Sequence, residues 1–398
     1  MKELALFLLA LVVSYNSYAQ VNADKYQLNV RRTTETITID GKLDEATWQQ
    51  TDKADNFIQN FPTDSLLATS QTEVMITFDD DFLYVGGICH DKSEKEHIVQ
   101  SLKRDFDWPL NENIGLMFDT FNDYNTGFSF GLSALGVQRE GLVAPSNDRT
   151  VNTDWDCKWY SAVNDEEDKW TFEMAIPFKS IRFNSTNRTW NLVIIRLDLK
   201  NNERTVWTPV PQGMRMSSFN FGGRINFEDE LPKSGTNISF IPFITGSVGK
   251  NFEDREPTET TGAVGFDAKI AVTSSLNLDL TVNPDFSQVD VDEQVTNLDR
   301  FEIFFPERRQ FFLENNDLFG QNGFPPARPF FSRRIGIASS DMIINGVDST
   351  KYGQVPIIYG ARLSGKVGNN WRIGALNMLT NQNVELGLPK QMYNVGVL

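Results

Sequence analysis

AVGFDAKIAVTSSLNLDLTV, residues 263–282, decides the fold class of this chain. Val264, Phe266, Ala268, Ile270 and Val272, then Leu276, Leu278, Leu280 and Val282, share one face of an alternating pattern. Asp267, Lys269, Thr273, Ser275, Asn277, Asp279 and Thr281 share the other. A period of two is the mark of β-strands. Each arm runs about nine or ten residues, with Ser274-Ser275 to turn between them, and one face never carries charge. That is the length and pattern of barrel strands with lipid outside and water inside. Tyr359 to Val367 repeats it, with Arg362, Ser364 and Lys366 on the polar face. Trp371 and Tyr393 are expected in the aromatic girdles. A soluble sheet with one buried face also alternates, but recurring charge opposite a charge-free face favours the membrane.

Upstream of residue 230 the strands are shorter. Thr36 to Asp40 leads into the turn pair Asp40-Gly41, and Leu43 to Trp48 has room for a short helical turn. Val74, Ile76 and Phe78 alternate up to the turn Asp79-Asp80-Asp81, and Phe82 to Cys89 returns as the second arm of a hairpin. Ile114 to Asp119, Gly127 to Ala134, Trp170 to Ile176 and Trp190 to Leu199 add strands at sandwich-like spacing. Long helical periodicity is missing from the pattern. The expected class is therefore all-β, an antiparallel β-sandwich over residues 20–229 followed by part of an outer-membrane-type antiparallel β-barrel. The polar, turn-rich stretch at 230–235 is the linker, and 236–398 is the barrel part, with an aromatic insertion at 283–340. A closed single-chain barrel needs about eight strands or more. Residues 236–398 have room for fewer, so the expectation is the front part of a longer barrel.

Lys2, the apolar run Leu4 to Val13 and the small residues of Ser17-Tyr18-Ala19 form a signal-peptide pattern over residues 1–19. The expected location is the cell outer membrane, with the sandwich periplasmic or at the cell surface. The 398 residues carry 53 Asp and Glu against 37 Lys and Arg, a net charge of −16, which argues against nucleic acid as a partner. Two cysteines, Cys89 and Cys157, fit either one disulfide or two buried thiols. Two histidines, His90 and His97, give little support to zinc or to histidine-based catalysis.

Three passages resemble the family 9 carbohydrate-binding modules: TITIDGKLDEATWQQ (36–50), TEVMITFDDDFLYVGGICHD (72–91) and WTFEMAIPFKSIRF (170–183). NPDFSQVDVDEQVTNLDRFEIFFPERRQFFLENNDLFG (283–320) resembles an uncharacterised bacterial family in which such a module precedes an outer-membrane barrel. The resemblance implies a carbohydrate or polysaccharide ligand, xylan among the candidates, and outer-membrane lipid as the second partner. It also implies two tryptophans sandwiching a terminal sugar, with a carboxylate and an arginine beside them. Trp108 falls where one tryptophan belongs, near Asp105, Asp107, Asn111 and Glu112. Gly115 falls near the carboxylate position, Gly131 near the arginine, and Arg215, beside Met214, where the second tryptophan would be.

The expected carbohydrate-binding residues are thus Trp108, Trp155, Arg215, Asn111 and Glu112. Trp155 enters because it interleaves with charges in Asp154 to Trp159. Trp48, Trp170 and Trp190 sit in or beside strands and are expected in the core. Glu173, between Phe172 and Met174, is expected on an outward, solvated face. In the insertion, Phe301, Phe304, Phe305, Phe311, Phe312, Leu313 and Phe319 are expected to bury against the barrel, bracing or plugging it. No cofactor is expected. Ca²⁺ is the one metal that Asp79-Asp80-Asp81, or Asp285, Asp290 and Asp292, would tolerate. No spacing nominates a catalytic carboxylate pair. Two other functions stay open: a xylanase-like hydrolase of O-glycosyl bonds, by association only, and a transport or assembly barrel with a structural sandwich.

Overall fold

The computed structural model describes residues 25–93, 95–143, 151–232, 238–250, 258–273, 275–284, 307–320, 329–338, 353–368, 371–384 and 388–398. The chain divides into two compact units, residues 1–234 and 235–398. Both are built mainly of antiparallel β-strands, as the alternation predicts.

The first unit contains β1 (Gln27–Val30), β2 (Lys53–Ala54), β3 (Ile58–Phe61), β4 (Thr72–Phe78), β5 (Phe82–His90), β6 (Asn113–Asp119) and β7 (Gly127–Ser133). It continues with β8 (Gln138–Val143), β9 (Val151–Asn152), β10 (Tyr160–Asp165), β11 (Lys169–Pro177), β12 (Thr189–Asp198), β13 (Glu203–Val206) and β14 (Gly223–Phe227). The larger sheet has the order β1-β14-β12-β6-β7-β8-β9, with β13 and β3 joined at β12. The smaller has the order β10-β11-β5-β4-β2. β1 joins β14 in parallel. Apolar residues from both sheets are withdrawn from water: Leu116, Phe130 and Ile194 from one, Ile76, Val85 and Phe172 from the other. Phe78 of β4 meets Phe227 of β14 edge-on at 5.4 Å. Arg196 of β12, 2% exposed, donates to Thr72 Oγ1 and to the His90 carbonyl on the smaller sheet. Dispersion and area burial hold the layers, and this donor fixes their register.

The opening segment lies on the smaller sheet through one carboxylate. Glu173 of β11 is fully buried, which corrects the solvated face expected of it. Its Oε2 accepts from the Asp40 and Gly41 backbone N–H groups at 3.1 and 3.0 Å, and its Oε1 from Trp48 Nε1 at 3.2 Å. Burial pushes this carboxyl up to about 7, against those three donors. Trp48, in the short helix Ala46–Gln49, is 1% exposed, and Trp170 and Trp190 are core residues too. Cys89 and Cys157 are free thiols, and burial lifts Cys89 to about 12.

The second unit inverts this arrangement. β15 (Ile238–Gly249), β16 (Glu259–Ala271) and β17 (Leu276–Val282) precede a two-stranded ribbon, β18 (Ile337–Ala338) with β19 (Gly353–Gln354). β20 (Ile357–Val367), β21 (Trp371–Thr380) and β22 (Gln391–Val397) complete a six-stranded antiparallel sheet in the order β15-β16-β17-β20-β21-β22. Among the described residues the two ends of this sheet do not pair with each other. Its register puts Phe240, Ile244, Val264, Leu278, Leu280, Ala361, Leu363 and Ala375 on one face. That face is turned to the outside: Ile244 is 83% exposed, and Val264 and Trp371 follow at 68% and 65%. The opposite face carries Asn277, Asp279, Thr281, Arg362 and Ser364, each at most 5% exposed.

Residues 307–320 and 329–338 cover that polar face. The short helices Gln310–Leu313 and Asn316–Gly320 bring Phe312 and Phe319 onto Leu376 and Met378. Lys269 Nζ meets Glu314 at 2.5 Å, and Arg362 donates to Asp279 and to the Glu314 carbonyl at 2.8 Å each. Tyr393 packs in the same cluster, on the covered face. Its ring therefore departs from the girdle position expected of it, because the cluster behind β21 and β22 is apolar. Trp371 does stand on the exposed face. Phe301, Phe304 and Phe305, the signal pattern and Asp285, Asp290 and Asp292 lie outside the described residues.

Candidate ligand-binding face

The Trp108 loop reaches the outer face of the larger sheet after a tightly braced approach. Asn111 is fully buried: its Oδ1 accepts from the Gln100 and Ser101 backbone N–H groups, and its Nδ2 donates to the Ser101 carbonyl. Glu112, 3% exposed, accepts from the Ile98 N–H at 3.0 Å and meets His97 Nδ1 at 2.9 Å. The other His97 nitrogen lies 3.0 Å from Asp165 of β10, and hydrogen bonding to Glu112 first, then to Asp165, raises the imidazole above its ordinary value. Asn111 and Glu112 therefore hold the loop: both polar atoms of the Asn111 amide and Glu112 Oε2 are engaged, and both side chains are buried. Neither is left to orient a sugar.

Trp108 opens a 3₁₀ turn, Trp108–Leu110, and is half-buried. The strand register explains its seat. Ile195, Gly115, Gly131 and Arg139 lie side by side across β12, β6, β7 and β8. A Cβ on Gly115 would come within 2.6 Å of the indole Cη2, so only glycine there admits the ring. The Arg139 guanidinium stands 5.6 Å from the indole centroid, within cation–π range. Trp108, with Met216 and Phe221, also packs on the apolar cluster of Met117, Val193, Ile195 and Phe219.

Arg139 is the residue that sequence reasoning missed. It is 8% exposed, and its Nε donates to the Phe106 carbonyl at 3.0 Å. Among the described residues its two Nη groups have no hydrogen-bond partner, while Asp105 and Asp107 balance its charge from nearby. Burial lowers its guanidinium from the ordinary value. QREGLV, residues 138–143, alternates weakly, and only the pairing of β7 with β8 sets Arg139 beside Gly131.

The other two expected positions divide. Trp155 is 3% exposed and packs against Phe128 and Phe130 at 5.3 and 6.4 Å between ring centroids. Its indole is core, so it offers no face to a ligand, because the charges beside it stay at the surface while the ring turns in. Arg215 is exposed, in the loop whose Met216 joins the Trp108 cluster. Trp108 and Arg215 are thus the two expected residues that present side chains to solvent, and the largely buried Arg139 lies beneath the Trp108 indole.

The carboxylates with raised pKa each have a structural cause. Burial lifts Asp119 to about 6 while it caps the turn through Phe121, Asp123 and Tyr124 N–H groups. Burial lifts Glu140 to about 7, and it accepts from Arg104 Nε at 2.9 Å and Trp159 Nε1 at 3.1 Å. Asp79 accepts from the Asp81 and Phe82 N–H groups, closing its own turn. Among the described residues no group of three or more His, Cys, Asp or Glu could hold a metal ion.

Residues 234–387 match the model of a family described as a domain of unknown function, DUF5916. The chain is also similar to a family 9 carbohydrate-binding module from Caldicellulosiruptor kristjanssonii, solved with cellotriose and with glucose. The identity is 14%, covering 52% of this chain and 95% and 99% of those chains, with a TM-score of 0.35 in each case. A putative carbohydrate-binding protein from Bacteroides uniformis is similar at 13% identity, over 51% of this chain and 99% of that chain, with a TM-score of 0.41. No curated protein matches the sequence.

Proposed function

We propose that this is an exported envelope protein whose second unit lies in the outer membrane and whose first unit binds a saccharide beside Trp108. One observation carries the reading: the six-stranded sheet turns a charge-free apolar face outward and folds its charged face inward. In water such a sheet would expose Phe240, Ile244, Val264 and Trp371 at a cost of about 25 cal/mol per Å² of apolar area. In lipid the same face is at rest, and the hidden ion pairs are where a barrel keeps its polar side chains. The signal-peptide pattern at residues 1–19 agrees with that compartment. Residues 236–398 then make the membrane part and 20–229 the ligand-binding module.

At the Trp108 loop, the open part of the indole offers apolar surface to the C–H face of a pyranose. The Arg139 Nη groups supply donors for neighbouring hydroxyls, and Arg215 extends the face toward solvent. Two measurements test the two halves. The native full-length protein should fractionate with outer membranes and shift in gel migration on heating; a protein that stays soluble refutes the membrane half. In detergent it should bind neutral xylo- or cello-oligosaccharides, and Trp108→Ala should weaken binding by about tenfold or more, the loss of one stacked ring. Unchanged binding in that variant refutes the saccharide half.

A further inference from the structure

The inward face of the six-stranded sheet is matched charge for charge by the segment that crosses it. Lys269 on β16 meets Glu314 at 2.5 Å, and Arg372 on β21 takes both Asp317 oxygens, the longer contact at 3.0 Å. Arg362 on β20, 1% exposed, binds Asp279 and the Glu314 carbonyl. Asn277 Nδ2 donates to Glu314 at 3.2 Å, and Asn315 Nδ2 donates to Ser364 Oγ at 3.2 Å. The fit is steric as well as electrostatic. A Cβ on Gly374 would stand 2.7 Å from the Phe319 ring, so the sheet leaves a gap there that the ring fills.

The segment is also tied to itself. Arg309 donates to both oxygens of Glu307, at 2.8 and 2.7 Å, and to the Ile335 and Ser332 carbonyls at 2.7 Å each. Ser332 Oγ donates to Glu307 at 2.6 Å. Residues 307–320 and 329–338 therefore form one small body, cross-braced by a buried, fully bonded ion pair. Breaking such a pair on one side is costly, so the body holds its shape.

We propose that residues 307–320 and 329–338 are a resident plug of the barrel, which closes the polar face of β16, β17, β20 and β21 to water and solutes. The proposal rests on the membrane reading given above. A water-filled channel leaves lumen-facing charges to solvent. Here Arg362, Asp279, Lys269 and Arg372 are committed to the segment or to each other. The ordinary state along these strands is closed, and any passage there requires the plug to leave its seat.

The test uses the native full-length protein extracted from membranes and inserted into planar bilayers. The wild type should conduct little. Asp317→Arg combined with Phe319→Ala removes one ion pair and one seated ring, and should raise ion conductance by about tenfold or more, as an opened polar lumen would. A wild type that already conducts as well as this variant overturns the proposal. So does an inserted, heat-modifiable variant that stays closed. A second measurement needs no disruptive change. Ser364→Cys, on a Cys157→Ser background, places a thiol of nearly the same size at a fully buried position beneath Asn315. It should resist a water-soluble maleimide in the folded protein, and ready labelling overturns the plug. A protein that fails to enter bilayers and fractionates as soluble overturns the membrane reading itself, a different result from either.

Discussion

The two units solve the same alternation in opposite senses. In the first, Ile76, Val85, Phe130 and Ile194 turn away from water, and pairs such as Arg32 with Asp80 stand at the surface. In the second, Arg362 and Asp279 are hidden, and Ile244 and Val264 are outside. A period of two states only that a strand has two unlike faces; which face is outward depends on the solvent. The sign of burial, rather than the pattern, separates the two units.

The contrast can be broken most forcefully at the hidden charges. Arg362→Met leaves the buried Asp279 with only the more distant Lys269, 3.9 Å away, and the second unit should lose about 3 kcal/mol or more, read from urea unfolding in lipid vesicles. A loss near that of a surface pair would mean that this face is wet. Next in size is Ile244→Arg, which should cost about 2–4 kcal/mol for folding into vesicles if β15 faces acyl chains. A strand facing water would tolerate it within about 0.5 kcal/mol.

In the first unit the largest effect is expected at Glu173. Its removal as Glu173→Ala strands the Gly41 N–H and takes one of two acceptors from the Asp40 N–H and the Trp48 indole N–H. These two keep the Thr38 carbonyl and Glu45, so the loss should be about 1–3 kcal/mol by thermal unfolding. The same carboxyl sets a pH dependence. It sits at about 7 in the fold against an ordinary 4.5, so its protonated form favours the fold. That contribution is complete below about 4.5 and is lost as pH rises through about 7. Glu173→Gln keeps an acceptor and cannot ionise, so the melting temperature of this variant should fall less across that window than the wild type's. The smallest effect belongs to Asp80→Asn at the exposed pair, within about 0.5 kcal/mol. A larger loss there would erase the difference between the two units.

Much of the fold was legible because strand alternation is a local signal. Val74 to Phe78 and Phe82 to Cys89 pair as the Asp79 turn predicts, and β16 with β17 as the Ser274-Ser275 turn does. The candidate site was less legible, for reasons that are not local. Trp155 is flanked by charges yet turns inward to Phe128, a partner from another strand. Glu173 sits between apolar neighbours on a strand, and its burial comes from a segment about 130 residues earlier, at Gly41. Arg139 becomes visible only once β7 and β8 are paired. Asn111 and Glu112 were placed near the right loop, but chemistry alone does not tell a brace from a ligand contact.

Glu173 also bears on the order in which the first unit can assemble. The Asp40 amide and its acceptor are 133 residues apart, so the opening segment finds no dock until the chain has emerged past β11. β1 waits longer still, since its partner β14 begins at Gly223. The segment from β1 to the Ala46–Gln49 helix is therefore among the last to settle, because its partners lie farthest along the chain. Until then its backbone and apolar side chains stay unpaired.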